Sequence, residues 1–509
     1  RSSEKKTKRT KAFSRSRGRN PRPPRRQAVD LERYRDVVDD WAAFTEAAGR
    51  PEPSVIRTRT GRISPEALVE RLAAQGFRVV PKPGLEGFFE VADGPTAISA
   101  TVEHWLGLFY VQQASTGVAA PLLDPKPGER VLDLCSAPGG KTTHAADLMG
   151  DTGCLVAGEI SESRIRGLLG NVYRLGHPNI FVVSGDGRDF PEEASFDRVL
   201  VDAPCSGEGT LRRSGGKAPF QSKSFKGYVT GAQRGLLEKA IRVTRPGGTI
   251  LYVTCTFAPE ENEAVVDHAL RTQPVELEPI EPPVPHARGL TSFGDTRYDS
   301  RLEGAVRIYP HHLDSGGLFI AKLTKLDDGS VADEGWWSAP PTFFATPGEQ
   351  ADDAVAADLV RAATDELTGR FGVPPEVFDD SSFILRGGRL WLHTLQEWPF
   401  PAWKEGPWRP ISVGFRAVDF DSRGRARPTN DLLRWLGDAL SNRVQTVTSE
   451  ELQSLVAREP VGLSEDILGP VAIRHEGAVI GRGAATQDGL KSEIPKARAA
   501  DLMRAFKQK

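Results

Sequence analysis

The chain has 509 residues, too many for one hydrophobic core, so roughly two to four domains are expected. Its 39% hydrophobic and 26% charged residues suit a folded globular protein, and no apolar run is long enough to cross a bilayer as a helix. Basic and acidic residues nearly balance at a net charge of -2, and 4 cysteines are too few for a disulfide framework, which points to a reducing, cytoplasmic setting.

That balance hides an uneven chain. Between Arg1 and Arg26, Glu4 is the one acid among many Lys, Arg, Ser and Pro residues. Such a segment buries too little apolar surface to fold alone. Residues 1–28 are therefore expected to be a disordered basic arm that tethers RNA phosphates, with a solubility tail or an organellar presequence as alternatives.

Residues 29–125 read as a small N-terminal α+β domain, expected to bind RNA. Leu31 to Ala48 has a helical pattern. Ser64 is an N-cap with Pro65 at the first helical position, and Leu68, Val69, Leu72 and Ala73 give that helix its apolar face. Phe77–Val80 and Phe88–Val91 read as strands, and Arg57, Arg59 and Arg62 as a solvated basic face.

From 126 to 325 short apolar runs alternate with helical patterns. Strands are expected at Arg130–Leu134, Cys154–Ala157, Ile180–Val183, Arg198–Val201, Gly248–Val253 and Gly317–Lys322. Continuously apolar strands separated by helices predict a doubly wound parallel sheet, Rossmann-like in class. Residues 326–350, around Trp336 and Trp337, read as a linker. Residues 351–509 read as a separate α+β region, with a helix over Asn430–Leu440 and a hairpin of Val471–Arg474 and Ala478–Ile480.

The first strand of the 126–325 region leads into Cys135-Ser136-Ala137-Pro138-Gly139-Gly140-Lys141 and then a helix. A Gly-rich strand-to-helix turn lets a ligand approach backbone N–H groups. The run is neither a Walker A nor a Gly-x-Gly-x-x-Gly fingerprint, which argues against triphosphate or standard dinucleotide binding. Glu159, Asp186 and Asp202 end the next three strands. Acids at successive carboxyl ends frame a nucleoside cleft, with Glu159 placed for ribose hydroxyls and Asp186 for an adenine amino group.

Two further strand ends carry cysteines: Asp202-Ala-Pro-Cys205-Ser-Gly and Thr254-Cys255-Thr-Phe257, the latter followed by Pro259-Glu-Glu-Asn-Glu263. A thiolate beside a nucleoside cleft can add to carbon 6 of cytosine, making carbon 5 nucleophilic enough to take a methyl group. A carboxylate such as Asp202 suits ring nitrogen 3. One cysteine would attack and the other assist release; spacing does not choose between them.

Together these three motifs resemble the Sun/Nol/Nop family of RNA cytosine-5 methyltransferases, over about residues 30–325, with Leu108–Ser115 included. The resemblance implies a class I methyltransferase fold and S-adenosylmethionine as cofactor. It implies Cys255 as nucleophile, Cys205 in release and Asp202 on the base, with Cys135–Lys141, Glu159, Arg164, Asp186 and Asp202 around the cofactor. Ser136 replaces a commoner Ala and Glu159 a commoner Asp.

After Asp202, Arg212, Arg213, Lys217, Lys223 and Lys226 surround Phe220 and Phe225, a mix that suits phosphate contact and base stacking. Gly489–Arg498 is similar to the tail of bacterial small-subunit rRNA methyltransferases of the F type, which implies a PUA-like RNA-binding region and a flipped target base in 16S rRNA. The expected partner is RNA, with no membrane, no metal and a monomeric state. The competing readings are a tRNA methyltransferase, a DNA cytosine-5 enzyme, in which the Pro-Cys cysteine would attack, and a non-catalytic ribosome-assembly factor. An amino-methyltransferase is disfavoured by Asp-Ala-Pro-Cys in place of an Asn/Asp-Pro-Pro-aromatic motif.

Overall fold

The computed structural model describes residues 26–192, 195–213, 215, 217–219, 223–329, 337–343, 352–399, 408–463 and 467–506. Residues 1–25 of the basic arm, Phe220 and Trp336 lie outside these residues, and so do the side chains of Lys217, Lys223, Phe225 and Lys226. The last three residues of the arm, expected to be disordered to residue 28, instead form a short strand, Arg26–Ala28, paired antiparallel with Lys217–Pro219.

A ten-stranded sheet organises the molecule. Strands β1 (Arg130–Asp133), β2 (Cys154–Glu159), β3 (Ile180–Ser184), β4 (Phe196–Asp202) and β5 (Thr244–Thr254) run parallel in the order β3-β2-β1-β4-β5. Helices α1 (Gly140–Leu148), α2 (Glu162–Leu175), α3 (Lys223–Val243) and α4 (Glu263–Thr272) connect or flank them. Alternate residues face opposite layers: Val131 and Leu155 pack with Ala145 of α1 and Leu168 of α2. Leu132 and Val156 pack with Leu237 of α3 and Val266 of α4. Both faces are covered, so the strands read as unbroken apolar runs.

The sheet is not wholly parallel. β6 (Val275–Glu278), β7 (Ala287–Arg288), β8 (Val306–Ile308) and β9 (Leu318–Lys325) extend it beyond β5, and β9 pairs antiparallel with β5. After α4 the chain returns through short antiparallel strands rather than a helical crossover, so β9 enters in the opposite direction. At the other edge β10 (Arg409–Val413) pairs antiparallel with β3, bringing a strand from beyond residue 351 into this sheet.

The N-terminal part carries a four-stranded antiparallel sheet that includes Arg78–Pro81 and Phe88–Asp93, with the helix Pro65–Ala74 capped by Ser64, as its sequence predicts. The helix expected from Leu31 is broken: a short turn at Glu32–Tyr34 precedes a helix over Trp41–Ala48 that Asp40 caps. An Asp in that position satisfies free N–H groups and starts a helix rather than continuing one. Arg57 and Arg59 are buried, contrary to the solvated face expected of them. They pair with Asp147 of α1 at 3.1 and 2.6 Å, and Arg59 also meets Asp151 at 2.5 Å, which bolts this domain to the central sheet.

Beyond residue 351 lie two further four-stranded sheets. The hairpin expected around 471–480 forms between Gly469–His475 and Ala478–Thr486, turning on Glu476 and Gly477, both at positive φ. Trp337, read as linker, is buried: its ring meets Phe196 and Arg130, and its Nε1 donates to the Ser195 carbonyl. Trp408 packs against Gly158 and Gly185, where a Cβ would lie 2.9 and 2.5 Å from its ring.

Candidate active site

The carboxyl ends of β1 to β5 meet at one edge, where a cavity of about 550 Å³ opens. Its walls include Cys135, Glu159, Arg164, Asp186, Asp202, Cys205 and Cys255, so seven residues singled out from sequence converge.

The Gly-rich turn builds one wall. Gly139 has φ +105°, and a Cβ there would press on Leu168 at 3.0 Å, so glycine is required. Ser136 is buried and its hydroxyl donates to the Asp133 carbonyl at 2.9 Å, which shapes the turn. The Ala137 carbonyl accepts from Arg164, and the Pro138 carbonyl from Asn171 at 2.9 Å. Gly140 begins α1. Lys141, in the first turn of that helix, reaches Asp202 instead of the outer cavity, with Nζ to Oδ2 at 2.8 Å. Burial opposes the Lys141 charge, yet Asp202 outweighs it and holds the ammonium above its ordinary value. Beneath them burial raises Asp133 to about 7, against the hydrogen bond that Thr142 donates.

The outer cavity has the chemistry of a nucleoside pocket. Glu159 is buried; Oε1 accepts the Ser161 N–H at 2.9 Å, while Oε2 makes no hydrogen bond and faces Arg164 at 3.0 Å. Next to it Ile160 is 62% exposed, an apolar side chain facing the pocket. A buried carboxylate oxygen that makes no hydrogen bond and is paired only with the half-exposed Arg164, beside an exposed apolar side chain, fits the ribose and base of S-adenosylmethionine. Asp186 is held below the usual carboxylate range by the two-toothed hydrogen bond of Arg188. Arg188, Ile160 and Tyr228 were not picked out from sequence. Ile160 directly follows a strand-end acid, a usable signal; Tyr228 reaches the cavity from α3, which no local pattern indicates.

At the inner end the Cys205 and Cys255 sulfurs are 3.3 Å apart. They come from the loops after β4 and β5, neighbours in the sheet, so parallel pairing brings residues 50 positions apart into contact. The contact with the Cys205 sulfur, in which either thiol can donate, holds the Cys255 thiol below its ordinary value against the opposing effect of burial. The same contact, with burial, pushes Cys205 well above its own. Cys135 is also raised by burial.

Arg212, expected at RNA, is instead buried. Its guanidinium donates to the carbonyls of Arg50, Pro51 and Ser315 and meets Asp314 at 2.7 Å, while Arg213 pairs with Glu52 at 2.8 Å. Elsewhere Asp39, His311 and His312 cluster. There the His312 Nδ1 accepts the Tyr309 N–H, leaving its proton on Nε2, which donates to Asp39 at 2.8 Å. That arrangement ties the N-terminal segment to the turn after β8 and leaves Nε2 no lone pair for an ion. No helix among the described residues is long and apolar enough to cross a membrane.

Residues 120–324 match the family described as 16S rRNA methyltransferase RsmB/F. The chain is 30% identical over 478 residues to ribosomal RNA small subunit methyltransferase F of Vibrio atlanticus, covering 91% of this chain and 94% of that one. The chain belongs to the RsmB/F family. It is an S-adenosylmethionine-dependent methyltransferase. Over 57% of its length it is also 36% identical to the 25S rRNA (cytosine-C(5))-methyltransferase nop2 of Schizosaccharomyces pombe, covering 49% of that protein. Among solved structures, a methyltransferase homologue from Pyrococcus horikoshii has 36% identity and a TM-score of 0.53, covering 58% of this chain and 94% of that one. NSun6 of the same organism, crystallised with the S-adenosylmethionine analogue SFG, has 25% identity and a TM-score of 0.50, over 58% of this chain and 97% of its own.

Proposed function

We propose that the chain methylates carbon 5 of a cytosine in small-subunit rRNA through a covalent adduct with Cys255. The observation that carries this reading is the pair of sulfurs 3.3 Å apart at the inner end of the cavity, with the Lys141–Asp202 ion pair on the same sheet edge. The names of the F-type and nop2 relatives support rRNA and cytosine carbon 5.

S-adenosylmethionine, when bound, supplies an electrophilic methyl group; Glu159 would hold its ribose and Asp186 its adenine end, with Cys135–Gly140 and Arg164 as the remaining walls. The Cys255 thiolate adds to carbon 6 of the base, which makes carbon 5 nucleophilic. Asp202 faces ring nitrogen 3. In its protonated form it hands this nitrogen a proton as the thiolate adds and takes the same proton back when the adduct breaks down, with Lys141 orienting the carboxyl group. After transfer, carbon 5 loses its proton with help from Cys205, the bond from carbon 6 to sulfur breaks, and Cys255 leaves as thiolate. The resemblance of Thr254-Cys255-Thr256-Phe257 to the Sun/Nol/Nop motif favours Cys255 as the nucleophile. The C-terminal region, read as PUA-like, and the basic arm would bind the surrounding RNA, with the monomer as the working unit.

The test is transfer of labelled methyl to small-subunit rRNA, tRNA and duplex DNA by wild type, Cys255→Ala and Cys205→Ala. Transfer to rRNA, loss in Cys255→Ala and a denaturation-resistant RNA adduct in Cys205→Ala are expected. An adduct in Cys255→Ala would reverse the two roles. Transfer to tRNA alone would move the substrate, and RNA binding without any transfer would make the chain an assembly factor.

A further inference from the structure

The loops bearing the two sulfurs are each gripped by a side chain from one short segment. Glu261 and Asn262 end the turn between β5 and α4, and both are buried. Glu261 Oε2 accepts the Ser206 N–H at 2.8 Å and the Gln233 amide at 3.0 Å, and that amide also donates to the Pro204 carbonyl at 2.8 Å. Cys205 is thus bracketed on both sides, through Pro204 and Ser206. Asn262 does the same for Cys255: Oδ1 accepts the Thr254 hydroxyl at 2.5 Å and Nδ2 donates to the Thr256 carbonyl at 2.9 Å. A hydrogen bond of 2.5 Å between the Ser206 and Thr256 hydroxyls joins the brackets.

We infer that Glu261 and Asn262 are positioning residues with separable tasks, Glu261 setting the place of the Cys205 sulfur and Asn262 that of the Cys255 sulfur. Neither touches the cavity, so neither is a catalytic residue. Two neighbouring residues on one rigid turn fix the distance between two loops more closely than either loop would alone. The inference rests on the two-cysteine reading above: a displaced Cys205 should retard release, and a displaced Cys255 should retard attack.

The test is single-turnover kinetics with small-subunit rRNA, following formation and decay of the RNA adduct separately in Glu261→Ala, Glu261→Gln, Asn262→Ala and the Cys205→Ala control. A misplacement of about 1 Å lowers a rate by about a hundredfold. Glu261→Ala is expected to slow adduct decay about tenfold or more while formation stays near wild type, with Glu261→Gln, which keeps the acceptor for Ser206, close to wild type. Asn262→Ala is expected to slow formation by a similar factor with no accumulation of adduct. The ratio of the two rates does not depend on how much protein is folded, so poor folding cannot mimic this pattern. Equal slowing of both steps in both alanine variants would overturn the inference while leaving an accumulating Cys205→Ala control, and with it the two-cysteine reading, intact. A Cys205→Ala control that accumulates no adduct would overturn both.

Discussion

Lys141 Nζ and Asp202 Oδ2 lie 2.8 Å apart, joining the first turn of α1 to the carboxyl end of β4. The ammonium therefore serves the inner end of the cavity, where the base is proposed to sit. Lys141→Met keeps the stem and removes the charge, and leaves Asp202 without its partner. We expect kcat for methyl transfer to fall about a hundredfold, or about 2.7 kcal/mol, with little change in cofactor binding measured by calorimetry. A large loss of cofactor affinity with kcat preserved would assign Lys141 to the cofactor instead.

The two thiols also set a pH dependence. Attack requires the Cys255 thiolate, so its rate rises with pH through the Cys255 pKa, which accepting the Cys205 S–H lowers. Cys205→Ala removes that donor. The midpoint of the pH profile for adduct formation should then move to higher pH, as read in single-turnover experiments from about pH 6 to 9. An unmoved midpoint would show that Cys205 does not tune its neighbour.

Arg212 separates structural from RNA-binding arginines. Its guanidinium is spent on three carbonyls and Asp314. Arg212→Ala should cost about 2–4 kcal/mol in urea unfolding, because it strips buried acceptors of charged donors. The slope of RNA affinity against salt should not change, since no phosphate contact is lost. A shallower slope would place the guanidinium at RNA.

Acid should weaken the fold through buried histidines. Burial lowers His393 to about 4 and His104, with Arg174 adding to the effect, to about 3, from an ordinary 6.5. Below pH 6.5 the unfolded chain takes up protons that the folded chain refuses, so stability falls as pH drops from 6.5 toward 4. His393→Gln, able to keep an acceptor for the Leu395 N–H, should lessen this dependence by up to about 1.4 kcal/mol per pH unit, measured by urea unfolding at several pH values.

The central strands and the site residues at their ends were legible because doubly covered strands read as apolar runs and a ligand cleft forms where such strands stop. The convergence of Cys205 and Cys255 could be anticipated because β4 and β5 are successive strands that pair. The fate of arginines could not. Arg57, Arg59 and Arg212 look like any basic surface residue until Asp147, Asp151 and Asp314, far away in sequence, supply partners. Nor did any local pattern mark Arg409–Val413 as part of the sheet: Pro410 argues against an inner strand and is tolerated because β10 is outermost. Trp337 and Trp408 were hidden for the same reason, since Gly and Pro in the intervening chain suggest loop whatever the indoles pack against.

The placement of β10 bears on how this protein can be cut and expressed. Without it, β3 would present the five residues Ile180–Ser184 as a bare row of N–H and C=O groups, all apolar apart from the last. Such a border recruits strands from other molecules. A fragment stopped at residue 325 would keep every group proposed to take part in the chemistry and still tend to clump. The C-terminal region thus closes one border of the sheet, whatever it contributes to gripping RNA.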